Sequence, residues 1–510
     1  MAGGGVDCGL MTAELNRRRF LGSAAVAGAF SLVPRHVLGG AGHVAPSEKL
    51  VMAHIGMGTQ GFNELGALLE HPRIQLVAVC DPNRESGDYI EWGKGSVREK
   101  IRGYLGDATW REGDDGCPGG REVGRLAVDA FYRRQRGAGQ GRVCRAYEDF
   151  RELLSAEEDL DAVKIMTPDH LHATIAIASM RRGRHVLMHK PVANRVYEGR
   201  LVNSVVEETG MATHLLAYGS GDDNGRIVEA IRGGLIGRLR EVHNWSNRPV
   251  WPQYAEVPRE RPPVPEGFNW DLWLGPSEDR PYHPHYTHTV FRGWYEFGGG
   301  AMADMGIYSL WPVFSGLGLG SPVSAEAAAT HTCVIEDGVS RVVANDSAFP
   351  AACTLRFKFE GDGAGEGLEL FWYDGGMKPR LPGEVEAVVE AMEPEGILFI
   401  GDDGAILAGF LGYEPRLFRG GKVGPLRLPE RSDAPGWQVA LDMWVGACRG
   451  GEVSRGDFRA AAAITDTVNL GAVALRAGRR VLFDAAAMRI TNDEMANRYL
   501  RRDYRSGWEL

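Results

Sequence analysis

The stretch from residue 50 to residue 81 constrains the fold of this chain more than any other part of the sequence. An apolar run leads into a turn that contains three glycines, and apolar residues at helical spacing follow. A second apolar run then ends on Asp81. Strand, glycine turn, helix, strand and acid, in this order, form the fingerprint of a dinucleotide-binding parallel α/β sheet. The sequence therefore predicts a Rossmann-type domain here.

Each residue of the glycine turn has a physical role in that fingerprint. Gly56 permits the tight turn, and Gly61 lets the helix pack closely on the strand. Gly58 and the neighbouring backbone of Met57 can approach a pyrophosphate, which the N–H groups at the start of the helix then face. Asp81 lies 20 residues after the last glycine, where its carboxylate can accept a hydrogen bond from a ribose hydroxyl.

Length and charge bound the class of protein. At 510 residues the chain is too long for one ordinary core, so two domains are expected. The 57 basic and 67 acidic residues give a formal net charge of −10, and no basic patch with interleaved aromatic residues occurs. Nucleic-acid binding is therefore not expected. The seven cysteines show no CxxC spacing, so neither a disulfide framework nor a metal knuckle is predicted.

The N-terminal segment, residues 1–47, has the character of a leader. Three consecutive arginines at 17–19 precede a Phe-Leu pair, in a pattern similar to a twin-arginine export signal. The weakly apolar run that follows is too short to span a bilayer as a stable helix. The sequence predicts export to the periplasm by this route; the alternative is a basic tail on a cytoplasmic enzyme.

The remaining chain is expected to form two domains. Repeated strand–helix units with short loops over residues 48–218 predict a doubly wound parallel sheet. An insertion at about 86–141, rich in Gly, Arg and Asp, is expected to be a surface loop outside the core. Residues 219–510 carry strand and turn patterns flanked by helices, which predicts an α+β domain with a large, mostly antiparallel sheet.

Motifs spread along the chain are similar to those of a known family. The chain resembles the glucose–fructose oxidoreductase, inositol dehydrogenase and rhizopine-catabolism (Gfo/Idh/MocA) superfamily over residues 48–510, and it looks closest to an exported branch common in planctomycetes. The segments that carry the resemblance are residues 56–61, 167–172, 189–191, 269–276, 280–284, 298–304 and 496–508.

The resemblance implies a nicotinamide cofactor at the carboxyl edge of the parallel sheet, with a sugar or polyol stacked beneath it. It assigns cofactor contacts to Thr167, Pro168, His170 and His172, and it places Lys190 near both the nicotinamide and the substrate hydroxyl. Most members read Glu-Lys-Pro at the lysine motif, whereas this chain reads His-Lys-Pro. Lys190 therefore carries over and the preceding Glu does not.

A second departure concerns the general base. The family's Asp-x-x-x-His pair places two side chains on one helical face, and here Asp304 matches while the His position is Tyr308. Three interpretations stay open. Tyr308 becomes a usable acid/base if Lys190 is close enough to favour the phenolate, or the base has moved to a histidine within residues 283–288, or proton transfer by this residue was lost.

Three histidines lie close together in the sequence, between residues 283 and 288. His283, His285 and His288, with Asp304, have residue types that could ligate zinc, but the loop-like spacing fixes no geometry, so no metal is predicted. Histidines that donate hydrogen bonds to substrate hydroxyls are the preferred interpretation, and nearby tryptophans offer faces for a pyranose ring. The predicted substrate contacts are His285, His288, Arg292 and Trp294.

The favoured function is an exported NAD(P)-dependent oxidoreductase that acts on a sugar, polyol or glycoside and holds its cofactor tightly. Asp81 favours NAD because its carboxylate repels a 2′-phosphate, and the nearby Arg84 keeps NADP possible as the cofactor. One alternative is glycoside cleavage by oxidation, elimination and reduction; another is a non-catalytic periplasmic sugar-binding protein. The family's open sheet predicts a homo-oligomer, either a dimer or a tetramer.

Overall fold

The computed structural model describes residues 1, 44–45, 48–136, 144–217, 223–361, 367–428 and 436–510. The predicted export motif at 17–19 lies outside these described residues. Residues 1–49 and 50–510 form separate units, and the architecture below is that of residues 50–510.

The N-terminal part is a six-stranded sheet in which all strands are parallel. Its order, β5-β2-β1-β6-β7-β8, is that of a doubly wound dinucleotide-binding fold. The strands are short and, except for the edge strand at 145–147, mostly buried, as expected when helices cover both faces of a sheet. They are β1 (Leu50–Ile55), β2 (Ile74–Cys80), β5 (Arg145–Tyr147), β6 (Ala162–Ile165), β7 (His185–His189) and β8 (Thr213–Leu216).

Helices cover both faces of this sheet. The first follows the glycine turn and buries the apolar residues that its periodicity predicts, among them Phe62, Leu65 and Leu69. The family-motif loop between β6 and the next helix forms a 3₁₀ turn over Asp169–Leu171. The helices are α1 (Thr59–Glu70), α4 (Phe150–Ala156), α5 (His172–Met180) and α6 (Val196–Thr209).

The insertion is part of the core, and the expectation of a surface loop is wrong. It forms a two-stranded ribbon, β3 (Ser86–Tyr89) with β4 (Cys117–Gly119), and two helices, α2 (Ser96–Leu105) and α3 (Arg121–Arg136). Apolar residues of both helices are buried in one cluster with α1 and β2. The physical reason is topological: β2 and β5 are parallel neighbours, so the chain between them must cross over, and α3 is that crossover helix.

The C-terminal part is built on a ten-stranded sheet with the order β18-β17-β16-β15-β9-β14-β13-β10-β19-β20. Only β9 and β14 pair in parallel, so the predicted mostly antiparallel sheet is confirmed. A separate ribbon pairs β11 (Cys333–Glu336) with β12 (Val339–Val342). The ten strands are β9 (Leu239–Trp245), β10 (Ser324–Ala329), β13 (Cys353–Lys358), β14 (Glu369–Tyr373), β15 (Gly396–Gly401), β16 (Gly404–Gly409), β17 (Arg416–Arg419), β18 (Lys422–Pro425), β19 (Val481–Asp484) and β20 (Arg489–Ile490).

Helices of the C-terminal part connect the two sheets. α12 packs on β10 and also on α6 of the Rossmann domain, and α11 packs on β8. A π-helical turn, Met302–Gly306, runs directly into α9. The helices are α7 (Asp223–Arg232), α8 (Trp270–Leu274), α9 (Ile307–Leu317), α10 (Gly383–Glu386), α11 (Gly436–Cys448) and α12 (Ala462–Ala477).

The end of the chain returns to the Rossmann domain through Arg502. This buried guanidinium contacts the carboxylate of Glu198 on α6 at 2.6 Å and that of Glu296 at 3.0 Å. It also donates to the hydroxyl of Ser277 at 2.9 Å. The tail therefore links α6 of the N-terminal part to residues of the C-terminal part. In the part of the chain that the structure describes, no helix is long and apolar enough to cross a membrane.

Candidate active site

The glycine turn has the close backbone contacts that the fingerprint requires. Gly56 has φ +100°, and a Cβ atom there would lie 2.5 Å from the carbonyl oxygen of Met166. A Cβ on Gly61 would lie 2.5 Å from the carbonyl oxygen of Gly56. Gly58 occupies the N-cap of α1, so it places no side chain over the helix N-terminus. These residues fit a dinucleotide pyrophosphate, because the helix start presents its N–H groups to the cleft.

Asp81 is buried just after the end of β2, and its side chain contacts the backbone of the glycine turn. Its carboxylate accepts hydrogen bonds from the backbone amide groups of Met57, at 2.7 Å, and Asn83, at 2.8 Å. Burial raises the pKa of Asp81, and these two amides partly offset the rise. The carboxylate also lines the cleft, so it is placed to accept from a ribose hydroxyl as the sequence predicts.

A cleft of about 920 Å³, including its mouth, runs from the glycine turn to the C-terminal part. One wall is made of cofactor-type residues at the carboxyl ends of β1, β2, β6 and β7. The remaining lining is rich in aromatic side chains. The residues that line the cleft include Thr167, Pro168, Asp169, Lys190, Phe268, Trp273, His288, Phe291 and Arg292. The glycine turn, the lysine motif and these aromatic side chains therefore share one cavity.

Lys190 stands just past the end of β7, where predicted, and it is buried against the C-terminal part. Its Nζ donates to Asp304 Oδ1 at 2.6 Å, and Arg292 Nε donates to the same oxygen at 2.9 Å. Burial alone would raise the pKa of Asp304, but the charges of Lys190 and Arg292 outweigh it and hold that pKa below its ordinary range. Burial lowers the pKa of Lys190, and Asp304 offsets only part of this effect.

Tyr308 lies beside this group and directs its hydroxyl toward His189. Its ring is 4.9 Å from Lys190 Nζ, and its Oη lies 3.1 Å from His189 Nε2. Burial, with the charges of Glu64 and Asp304, raises the pKa of Tyr308. Tyr308 is therefore a neutral phenol here, and the proximity of Lys190 does not favour the phenolate.

Several predicted contact residues lie outside the cleft. His170 is buried with its ring nitrogens facing the carbonyl oxygens of Trp273, at 2.8 Å, and Phe297, at 3.3 Å. His172 lies between the carbonyl oxygens of Thr167, at 2.9 Å, and Pro191, at 2.6 Å. Both histidines thus fix the loops that form the cleft without lining it.

The loop that follows α8 separates the predicted substrate residues. Trp294 is buried in an aromatic cluster and donates from Nε1 to the carbonyl oxygen of His285 at 2.7 Å. The ring of His285 stacks on Tyr254, with centroids 4.1 Å apart. His288 lines the cleft and has φ +54°. Of the four predicted substrate contacts, the structure brings His288 and Arg292 to the cleft.

The histidines of this loop do not converge. His283 and His285 contact each other, whereas Nε2 of His288 lies 3.2 Å from a carboxylate oxygen of Asp88 on the insertion ribbon. Over the described ranges, no group of three or more His, Cys, Asp or Glu side chains is arranged to hold a metal ion.

Sequence reasoning missed two sets of cleft residues. Tyr89 and Trp92 of the insertion line the cleft, and the Tyr89 ring lies 4.1 Å from that of His288. His189 also lines the cleft, and its partner Glu64 pairs with Lys164. A lysine inside the otherwise apolar strand β6 was the available signal, because a buried cation requires an anionic partner.

Fold and cleft together define a protein in which a parallel, dinucleotide-binding sheet is followed by a larger, mostly antiparallel sheet. Residues 123–215 match the family description "Oxidoreductase family, NAD-binding Rossmann fold". Residues 238–344 match "Oxidoreductase family, C-terminal alpha/beta domain". The chain thus carries the NAD-binding and C-terminal domains of the Gfo/Idh/MocA family, as its motifs predicted, and its N-terminal sheet is an NAD-binding Rossmann domain.

Known relatives match parts of the chain. Levoglucosan dehydrogenase of Pseudarthrobacter phenanthrenivorans is 31% identical over 116 residues, which are 20% of this chain and 28% of the relative. An alpha-N-acetylgalactosaminidase of Shewanella oneidensis is 26% identical over 243 residues, 47% of this chain and 42% of the relative. The chain therefore spans less than half the length of each of these relatives.

A solved structure supports the fold over a larger share of the chain. WlbA dehydrogenase from Bordetella pertussis, crystallised with NADH and UDP-GlcNAcA, has a TM-score of 0.50 and 16% sequence identity. The superposition covers 86% of this chain and 99% of that chain. At this identity the likeness concerns the fold alone.

Proposed function

We propose that this protein is an exported, NAD-dependent oxidoreductase that oxidises a ring hydroxyl of a sugar, polyol or glycoside and holds its cofactor tightly. The proposal rests on the position and contacts of Lys190. Its ammonium lines the same cleft as the glycine turn, and it is held by Asp304, which Arg292 also contacts. A cation fixed in a cleft that also holds a dinucleotide site and aromatic side chains is suited to polarise a substrate oxygen.

The proposed reaction removes a hydride from a ring carbon and a proton from its hydroxyl oxygen. A bound nicotinamide would supply the hydride acceptor at the cleft. Lys190 stabilises negative charge that develops on the substrate oxygen, because a fixed cation in a water-poor site needs little reorganisation. Asp304 favours the charged form of Lys190 and fixes its orientation, since its carboxylate accepts hydrogen bonds from both Lys190 and Arg292.

The aromatic side chains of the cleft support a carbohydrate as the substrate class. Phe268, Trp273 and Phe291 line the same cleft as the glycine turn. Aromatic faces pack on the C–H faces of a pyranose ring, while Arg292, His288 and Thr289 offer polar groups for hydroxyls. The relatives named for levoglucosan and N-acetylgalactosamine chemistry add weight to this class.

Net glycoside cleavage is a second candidate, favoured by the match to an alpha-N-acetylgalactosaminidase over 47% of this chain. In this route, oxidation at a ring carbon makes the adjacent C–H acidic, elimination expels the aglycone, water adds back, and the same hydride returns. The cofactor is regenerated within each turnover. This suits an exported enzyme, because free nucleotide is scarce outside the cytoplasm.

Deuterium transfer tests the proposal. The NAD-loaded protein is incubated with sugars and glycosides deuterated at the ring carbons, and both nucleotide and sugar products are analysed by mass spectrometry. Deuterium on the nicotinamide supports hydride transfer, and release of free aglycone without net reduction indicates the cleavage route. A nucleotide-bound protein that transfers no deuterium from any of them contradicts the proposal and indicates a sugar-binding role.

A matched pair of variants assigns the chemistry to the cleft. Lys190→Met is expected to abolish deuterium transfer while nucleotide binding persists. Lys358→Met removes a lysine that pairs with Glu369 on the C-terminal sheet, outside the cleft, and is expected to leave transfer unchanged. Equal transfer by both variants would contradict the role of Lys190.

A further inference from the structure

A chain of polar side chains continues from the group formed by Lys190, Asp304 and Arg292 into the interior of the Rossmann domain. Tyr308 Oη lies 3.1 Å from His189 Nε2, and His189 Nδ1 lies 3.0 Å from Glu64 Oε1. Glu64 in turn contacts the ammonium of Lys164, which is buried in the middle of β6. The links join α9, β7, α1 and β6, so the fold itself holds the four groups in line.

We propose that His189 is the proton acceptor of the reaction and acts through Tyr308, with Glu64 as the residue that orients it. This inference rests on the proposed function. The arrangement has the composition of a catalytic triad, in which a base touches the reacting hydroxyl group and a carboxylate lies beside the other nitrogen of the base, here as an ion-pair contact of Glu64 at 3.0 Å. Here the group between substrate and base is the phenol of Tyr308.

The contact explains the two departures from the family pattern together. The position that is usually Glu is His189, and the position that is usually His is Tyr308. In space these two side chains touch. The strand that carries Lys190 thus ends on an imidazole that lines the cleft, and the phenol of the helix that follows Asp304 contacts this imidazole from the second cavity.

The site's two cavities meet at His189. This side chain lines the nucleotide cleft, and it also lines a second cavity together with Tyr308, Glu64 and Lys164. Lys190 belongs to the first cavity and Tyr308 to the second, with Lys190 Nζ 4.9 Å from the Tyr308 ring. We place the reacting hydroxyl at this junction, between the ammonium of Lys190 and the phenol oxygen of Tyr308.

Each proton transfer in the proposed reaction has a donor and an acceptor. As hydride leaves the substrate carbon for the cofactor, the substrate O–H proton passes to Tyr308 Oη and the phenol proton passes to His189 Nε2. The substrate becomes a ketone and His189 becomes an imidazolium, stabilised by the carboxylate of Glu64. The imidazolium then releases one proton by way of Glu64, whose side chain is 22% exposed. The released proton is the one that the oxidation of an alcohol by NAD⁺ yields.

The charges that face His189 are suited to this task. Burial lowers the pKa of His189, and the carboxylate of Glu64 offsets part of the lowering. The ammonium groups of Lys190 and Lys164 act against protonation. Tyr308, from α9, faces it as a neutral donor. The imidazole is thus neutral before reaction and able to accept, which a protonated histidine could not do.

The chain contains a matched control for this arrangement. His243 on β9 has its two ring nitrogens 3.0 Å from the hydroxyl of Tyr373 and 2.8 Å from a carboxylate oxygen of Glu241. The same three residue types are thus assembled on the C-terminal sheet, and none of them lines either cavity. His243→Gln removes an equivalent imidazole without touching the proposed path.

A double-mutant cycle on the full NAD-loaded chain tests the inference by kinetics. His189→Gln and Tyr308→Phe are each expected to lower kcat by about 100-fold or more, the usual loss for a general base. The double variant should lose little more than either single one, because the two side chains act as a unit. His243→Gln should stay within about twofold of wild type. Independent, additive losses, or a fully active His189→Gln, would overturn the inference.

The pH profile separates a proton path from a structural role. In wild type the rate rises with pH as His189 loses its proton. Glu64→Gln removes the charge that raises the pKa of His189, so the rising limb is expected to move to lower pH while the plateau falls. A plateau that falls without any shift of the limb would mean that Glu64 only supports the fold.

A spectroscopic measurement decides the contact without turnover. ¹⁵N-histidine NMR of the full chain, with and without NAD⁺, identifies His189 by its loss in His189→Gln. Tyr308→Phe is expected to shift the Nε2 signal of His189 and to leave that of His243 unchanged. An unshifted signal would overturn the inference whatever the activity. Wild type that binds no nucleotide and oxidises no sugar would instead refute the proposed function.

Discussion

Asp304→Asn is the substitution whose consequences follow most directly from the structure. In the folded protein one carboxylate oxygen accepts from two buried cations, Lys190 at 2.6 Å and Arg292 at 2.9 Å. The amide keeps the shape of the side chain but removes its charge. Two like charges then remain close together, with no anion between them.

The expected cost is a loss of about 3–5 kcal/mol in the free energy of unfolding, the range found when one partner of a buried ion pair is removed. Lys190 can release its proton once Asp304 no longer raises its pKa, and this relief places the loss near the lower end, at about 3 kcal/mol. Such a loss is a large share of the about 5–15 kcal/mol that a domain typically has.

Urea denaturation of wild type and variant at several pH values measures this loss. Asp402→Asn is the control, because Asp402 also pairs with an arginine, Arg240 at 2.6 Å, but at the surface; its loss should be at most about 1 kcal/mol. The folded-state pKa of Asp304 is depressed, so its stabilisation is present above pH ~4 and is lost as the pH falls further. A loss below about 1 kcal/mol at neutral pH would refute the reasoning.

Three further predictions concern the glycine turn, the C-terminal tail and the cofactor. Gly56→Ala would place a Cβ atom 2.5 Å from a backbone carbonyl oxygen at φ +100°, so it should lower the free energy of unfolding by at least ~2 kcal/mol. Gly58→Ala, at φ −89°, should keep the fold and weaken NAD binding about tenfold in calorimetric titration. Arg502→Met leaves the buried carboxylate of Glu198 without its cation, while Glu296 keeps Arg195, and it should lower the urea midpoint by far more than Arg505→Met, whose partner Asp271 is exposed; equal midpoints would contradict this. Asp81→Asn should raise the affinity for NADP relative to NAD, and an unchanged ratio in fluorescence titration would contradict its predicted ribose contact.

The parts of the fold that local pattern determines were predictable from the sequence. The apolar runs at 50–55 and 74–80 are the strands β1 and β2, and the helical pattern between them is α1. Two-residue and 3.6-residue periodicities are local properties, so a single sequence carries them. The order of the ten-stranded sheet is not local, because β9 lies between β14 and β15, which follow it by more than a hundred residues.

The insertion shows how composition can mislead. Helix α3 is rich in arginine and has one apolar stripe, which includes Val128 and Tyr132. High average polarity favoured a loop, although the stripe alone suffices to pack the helix on β2. The requirement that parallel neighbours be joined by a crossover would have predicted a helix between β2 and β5.

The candidate site was predictable in part. Lys190 follows the end of β7, as its motif predicted, whereas the contacts of Lys190 and Arg292 with Asp304 emerged only from the structure. The direction of Tyr308 was not predictable, because the π-helical turn before α9 changes the rotation between Asp304 and Tyr308. The positive φ of His288 was likewise not predictable, because the sequence around it does not indicate one.

Identification of the bound nucleotide tests the central claim most directly. The full chain is purified without added cofactor and denatured, and the released small molecules are analysed by mass spectrometry, followed by titration of the folded protein with NAD⁺ and NADP⁺. The account predicts stoichiometric NAD(H) in the released fraction, held in the cleft between the glycine turn and Lys190. A chain that releases no nucleotide and binds neither one on titration would contradict the account.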